Sequence, residues 1–174
     1  MNNQLIHLES GEPEISRTRQ ATSALKLVVF SMNRLNLALR IESVYKVVNH
    51  TSTYGSGIGS IGVAHLGEDE ITVVDLHRQF FKSNLISESN PSGYLVVVQN
   101  TMGELYGIPV AETPALMDVP RAMIRVLPES YRRADTLDVA SHVAVIPQEE
   151  ATLTVFLLDV DRLLPLFQEL AVKG

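Results

Sequence analysis

Leu27-Val28-Val29-Phe30, followed by the alternating run Leu35-Asn36-Leu37-Ala38-Leu39-Arg40-Ile41, is echoed by Leu95-Val96-Val97-Val98 and Glu104-Leu105-Tyr106-Gly107-Ile108-Pro109-Val110. A second echo joins Ile71-Thr72-Val73-Val74-Asp75-Leu76 to Thr154-Val155-Phe156-Leu157-Leu158-Asp159-Val160. Short apolar, β-branched runs bounded by turn residues signal strands. Two copies of one strand-rich unit within 174 residues predict a pair of small barrels. Each copy, at roughly 70 residues, is near the size at which a lone core is marginal. The halves are therefore expected to lean on each other, with the functional surface at their seam.

Working outward, residues 1–24 are polar and broken by Gly11 and Pro13, which predicts a flexible tail. Residues 25–31 and 35–41 form a hairpin that turns at Met32-Asn33-Arg34. At Ile41 the spacing of Ile41, Val44, Val47 and Val48 becomes that of a helix face, so a short helix is expected there. Residues 49–60 form a loop; its alternating Gly55, Gly57 and Gly59 lack the Gly-Lys-Ser/Thr of a phosphate cradle. A second hairpin, 61–66 with 70–74, turns at Gly67-Glu68-Asp69, and a brief helix follows over 75–81. Residues 83–93 link the copies.

The second copy opens with the hairpin 94–99 and 104–110. Pro114 limits any later helix to a start at Thr113. Residues 118–138 read as irregular, with Arg121, Arg125, Arg132 and Arg133 forming the most basic stretch, suited to an acidic partner or to plain solvation. A last hairpin, 142–146 with 153–158, precedes an amphipathic helix over 161–173. There Leu163, Leu166, Phe167 and Leu170 share a face, and Pro165 kinks or restarts the helix.

Composition narrows the function. A formal charge of −6, with no lysine or arginine run to neutralise phosphates, argues against nucleic acid as a partner. Cysteine is absent, which excludes disulfides, thiolate metal sites and a cysteine nucleophile. No basic-then-apolar leader is seen, and no apolar run approaches the roughly 20 residues of a membrane helix. A cytoplasmic protein is expected.

Asp75 and Asp159 occupy equivalent strand ends and invite comparison with a two-carboxylate protease. The Asp-Thr-Gly or Asp-Ser-Gly that such a site needs is replaced by Asp75-Leu76-His77 and Asp159-Val160-Asp161, and capping of the following helices explains both aspartates. His65 and His77 flank one hairpin without a glycine-framed serine, and no histidine pair has the spacing of a helical zinc site. Neither enzyme, metal nor cofactor is expected. The remaining option is a connector that offers strand edges and barrel ends to other polypeptides. A small-barrel nucleic-acid binder is the alternative, opposed by the acidic balance and the lack of tryptophan.

From about Leu25 to Leu164 the order of these segments resembles the CheW-like domain family, the coupling proteins of bacterial chemotaxis. The resemblance is carried by Leu37-Ala38-Leu39-Arg40-Ile41-Glu42-Ser43-Val44-Tyr45-Lys46-Val47-Val48, by Gly62-Val63-Ala64-His65-Leu66 with Val73-Val74-Asp75-Leu76, and by Leu157-Leu158-Asp159-Val160-Asp161-Arg162-Leu163-Leu164. It implies an all-β fold with short helices: two five-stranded SH3-like barrels related by internal repeats (about 25–82 and 93–164), interleaved in one domain over 25–164, with a C-terminal helix over 165–174. It also implies a scaffold joining a chemoreceptor's cytoplasmic tip to the regulatory domain of a CheA-like histidine kinase, in ring-like arrays.

The implied partner-binding residues are Val44, Tyr45, Lys46 and Val47 on the short helix, with Gly62, Leu66, Gly67 and Glu68 near the second hairpin, lining a groove between the barrels. Lys46 stands where better-known members carry glutamate, and Gly67 where they carry arginine. A swapped ion pair of Lys46 with Glu68 or Asp69 is the expectation. The alternative is an accessory member that no longer binds receptors.

Overall fold

The computed structural model describes residues 23–50, 53–55, 60–81, 93–132 and 137–173. The expected tail through residue 22, Gly57 and Gly59 of the glycine loop, the linker over 83–92 and Arg133 lie outside these residues. The first copy supplies β1 (Ala24–Met32), β2 (Leu35–Arg40), β3 (Val44–Asn49), β4 (Thr53–Gly55), β5 (Ile61–Leu66), β6 (Asp69–Val74) and α1 (Leu76–Phe81). The second supplies β7 (Tyr94–Gln99), β8 (Leu105–Val110), β9 (Ala115–Pro120), β10 (Ile124–Val126), α2 (Glu129–Arg132), β11 (Ala140–Pro147), β12 (Thr152–Leu158) and α3 (Val160–Lys173). Single 3-10 turns at Ile41–Ser43 and Arg121–Met123 precede β3 and β10.

These strands form two six-stranded sheets, ordered β10-β11-β12-β2-β1-β9 and β3-β7-β8-β6-β5-β4. Each has one strand more than expected, and the short β4 and β10 are its smallest members. In each sheet the two end strands are near neighbours in sequence, β9 with β10 and β3 with β4, so each sheet curls. The duplication read from the sequence recurs as equivalent positions: hairpin β1–β2 matches β7–β8, and β6 matches β12. Each of the latter two runs parallel to a hairpin, Val73 beside Gly107 and Leu157 beside Ala38. The hairpins are exchanged, however. The first copy's β1–β2 completes the sheet of β9–β12, while the second copy's β7–β8 completes that of β3–β6.

Three apolar layers result. Leu25, Leu27, Ala38, Val119, Ala144, Val155 and Leu157 fill the first sheet's curl, and Ala64, Ile71, Val73, Leu95 and Val97 fill the second's. The alternate residues of the same hairpins, Phe30, Met32, Leu37 and Leu39 against Val96, Val98, Tyr106, Ile108 and Val110, form the largest layer, between the sheets. The hairpins are therefore buried on both faces, which explains their unbroken apolar runs. Leu163, Leu164 and Phe167 of α3 close this central layer. Gly107 belongs to the second sheet's core by virtue of what it lacks: a Cβ there would stand 2.8 Å from Leu95 Cδ1.

Several local expectations change. Met32, assigned to the first turn, ends β1 in the central core, and the turn tightens to Asn33-Arg34 with Asn33 at φ 54°, a left-handed conformation that asparagine tolerates. Val44–Asn49 is a strand rather than a helix. A β-bulge between Val44 and Lys46 breaks its register with β7, and the extra residue moves the side chains to the opposite face. Val44 and Val47 consequently sit opposite Val98 and Val96 of the central layer, while Val48 sits opposite Leu95. The bulge thereby imitates helical spacing. The loop over 49–60 contains β4, and no helix starts at Thr113, because β9 follows Pro114. The segment read as irregular, 118–138, holds the end of β9 and all of β10 and α2. The final helix begins at Val160 and continues through Pro165.

His50 fixes the end of β3. Its N–H donates to Gly93 O at 3.0 Å, Nε2 lies 3.3 Å from Thr53 Oγ1, and buried Nδ1 has no partner among the described residues. Burial lowers its pKa, partly opposed by the Asp75 carboxylate. The folded state therefore favours neutral His50, whose contribution is complete above its ordinary value of 6.5 and is lost as pH falls through that value toward the lowered one. Urea midpoints compared between pH 7.5 and 5.5 should fall more steeply for the wild type than for His50→Gln; equal slopes would contradict this. Because one layer serves both sheets, Phe167→Ala should cost about 3–5 kcal/mol and leave a single unfolding transition by circular dichroism, whereas two separated transitions would refute the shared core.

Candidate functional site

Three consecutive side chains of β3, at and just beyond the bulge, are exposed. Tyr45 is 58% exposed and Val47 42%, with Lys46 exposed between them. The Lys46 Nζ lies 5.8 Å from the centroid of the Tyr45 ring, a cation–π contact of about 0.5–1 kcal/mol at such a site. Val44 is half-buried against the central layer and anchors the strand.

Gly62 is buried on β5 opposite Val73, Leu66 packs on the second sheet's core, and Gly67 and Glu68 form the exposed turn to β6. Gly67 has φ +68° with open space around its Cα, so backbone conformation alone favours glycine there. In hydrogen-bonding order β7, β8 and β6 separate β3 from β5. The residues named from the sequence thus occupy two parts of one curved sheet.

The expected pairing of Lys46 with Glu68 or Asp69 is not among the ion pairs of the described residues. Lys46 instead turns to Tyr45. Across the β5–β6 hairpin, His65 faces Glu70 in register, with Nδ1 3.9 Å from the carboxylate.

The cleft between the sheets, about 790 Å³, takes its lining from elsewhere. Leu25, Ile124 and Leu157 form its apolar side, and Arg40, Arg121 and His142 add charge and polarity. Glu42 and Ser43 also line it and lead directly into β3. Its far wall is pinned: the N–H and Oγ1 of Thr101 both donate to Asp161 Oδ1 at 2.8 Å. Tyr106 OH donates to Val160 O at 2.7 Å, and burial, then Asp161 and Asp159, hold the phenol well above its ordinary pKa. These cleft residues were not singled out for a partner-binding role, since Thr101 and Asp161 lie 60 positions apart and no local pattern connects them.

The other candidates have structural roles. Asp75 Oδ1 accepts the Arg78 N–H at 2.9 Å, and Asp159 Oδ1 accepts the Asp161 N–H at 3.1 Å, so each caps its own helix. His77 is buried, with Nε2 3.4 Å from Asn33 Oδ1 and its ring 5.0 Å from that of Phe81, while His65 is exposed. Among the described residues no cluster of three or more His, Asp or Glu could hold a metal ion, and no helix is long and apolar enough to cross a membrane.

A model of the CheW-like domain matches residues 26–168. The crystal structure of scaffolding protein TtCheW from Thermoanaerobacter tengcongensis superposes with a TM-score of 0.63 at 20% identity, covering 79% of this chain and 86% of that one. Comparison with curated proteins yields no match.

Proposed function

The chain belongs to the CheW-like domain family, and from that premise we propose that it is a non-enzymatic adaptor coupling chemoreceptors to a CheA-like histidine kinase in a chemotaxis-like pathway of the cytoplasm. The family is one of scaffolds, and the observation that carries the reading is the distribution of exposed apolar side chains. Tyr45 and Val47 of β3 and Val63 of β5 emerge from one sheet, while Leu116 of β9 and Val145 of β11 emerge from the equivalent strands of the other. Two related outer faces suit two partners.

In this reading Val44, Tyr45, Lys46 and Val47 form one contact strip, and Gly62, Leu66, Gly67 and Glu68 a second. The kinase's regulatory domain and the receptor's cytoplasmic tip are the partners. Interfaces of roughly 800 Å² per side or less suit contacts that are remade during signalling, and several acting together hold an array. Chemotaxis, pilus motility and phototaxis all use such couplers, and the choice among them lies with the receptor.

That Lys46 enters no ion pair among the described residues favours a second reading, an accessory member that binds the kinase alone. Calorimetric titration of the chain with a CheA-type regulatory domain, and separately with a receptor cytoplasmic fragment, distinguishes the two. Binding to both supports the coupler, binding to the kinase domain alone supports the accessory reading, and binding to neither sinks both. The double variant Tyr45→Ala/Val47→Asp should weaken the bound partner about tenfold or more, ~1.4 kcal/mol, at an unchanged melting temperature.

A further inference from the structure

β10 ends the order of the first sheet and pairs with β11 alone. Its pairs run from Ile124 opposite Ala144 to Val126 opposite His142, and the next step is a backbone hydrogen bond from Leu127 N–H to Ser141 O at 3.0 Å. Bonded and non-bonded pairs alternate along an antiparallel ladder. Arg125 therefore bonds Val143, while the polar groups of Ile124 and Val126 turn to the open edge. The Ile124 N–H is taken by Arg121 O. The Ile124 carbonyl and both backbone groups of Val126 have no partner among the described residues.

An edge of this kind is a template for another strand, and its side chains select by charge. Arg121 and Arg125 are exposed and enter none of the ion pairs among the described residues, in a chain whose formal charge is −6. Nearby carboxylates are already engaged, Asp118 with Lys26 at 3.0 Å and Asp138 with Arg162 at 3.1 Å. Two clefts flank the strand. Ile124 borders the cleft between the sheets, while Val126, 65% exposed, borders a second cleft of about 1040 Å³ where Phe80, Leu166 and Phe167 share the wall with the oppositely charged Arg132, Arg162, Glu129 and Asp138.

We propose that the open edge of β10 takes an acidic, extended segment of another protein by strand addition. The added backbone bonds the Ile124 carbonyl and both backbone groups of Val126, its carboxylates meet Arg121 and Arg125, and its apolar residues lie beside Ile124 and Val126. The surface lies on strands other than β3 and β5, so it stands or falls apart from the adaptor reading.

Fluorescence anisotropy with a labelled Asp-Val-Glu-Val-Asp-Val peptide tests it. Saturable binding is expected, weakened about tenfold or more in Arg121→Glu/Arg125→Glu and absent for the same peptide N-methylated at alternate residues or carrying lysine in place of its acids. Arg125→Gln, a milder change at an exposed position, should weaken binding in the same direction at an unchanged melting temperature. Equal binding of the N-methylated peptide would reduce the contact to charge alone and overturn strand addition, as would equal binding of a heparin fragment. Sedimentation showing self-association that the arginine substitutions abolish would assign the edge to a second copy instead. No binding at millimolar peptide ends the proposal.

Discussion

The apolar layer between the two sheets is the constraint on which the rest depends. Neither curled sheet holds enough interior to stand well alone, because small cores bury too little surface to offset chain entropy. The central layer joins Phe30, Leu37 and Leu39 of one hairpin to Val96, Tyr106 and Ile108 of the other, and seals the joint with Phe167. It also fixes the cleft. Asp161, at the start of α3, accepts hydrogen bonds from Thr101 in the β7–β8 turn, so the wall of the cleft is tied to the element that closes the core.

With the interior settled, the strands that the core does not need on both faces are left with exposed side chains. β3 shows how a surface is made from a core strand. Val44 remains an anchor, and at and beyond the bulge Tyr45, Lys46 and Val47 stay exposed. β10 reaches the surface differently, by being short and at the end of its sheet. The CheW-like domain model over residues 26–168 and the superposition on TtCheW accord with this two-sheet fold, and Asp75 and Asp159, at its equivalent strand ends, serve as helix caps.

Much of the fold was legible because hairpins buried on both faces must be written as unbroken apolar runs, and the duplication exposed them twice. The exchange of hairpins between copies was not legible, since β1–β2 carries the same pattern whichever sheet it completes. β3 was misread because a bulge and a helix both place apolar residues three and four apart, as Val44, Val47 and Val48 are. β9 and β10 were missed because Leu116, Asp118, Arg125 and Val126 are exposed and obscure the inward positions of Met117, Val119 and Ile124. Of the candidate site, family resemblance pointed to Tyr45, Lys46 and Val47, which are exposed, but on a strand rather than a helix and outside the lining of the cleft between the sheets. The cleft's wall was not, because its hydrogen bonds join residues far apart in the chain.

The exchanged hairpins also set an order on synthesis. β3 to β8 contain every strand of the second sheet, which can pair fully once Val110 has left the ribosome. β1 and β2 are made before all of these, yet the parallel partner of β2 is β12, with Asn36 beside Val155. β2 therefore waits for its parallel partner until β12 has been made, so the closing of the first sheet is the pairing most distant in sequence and the slowest contact to reward the chain entropy it costs.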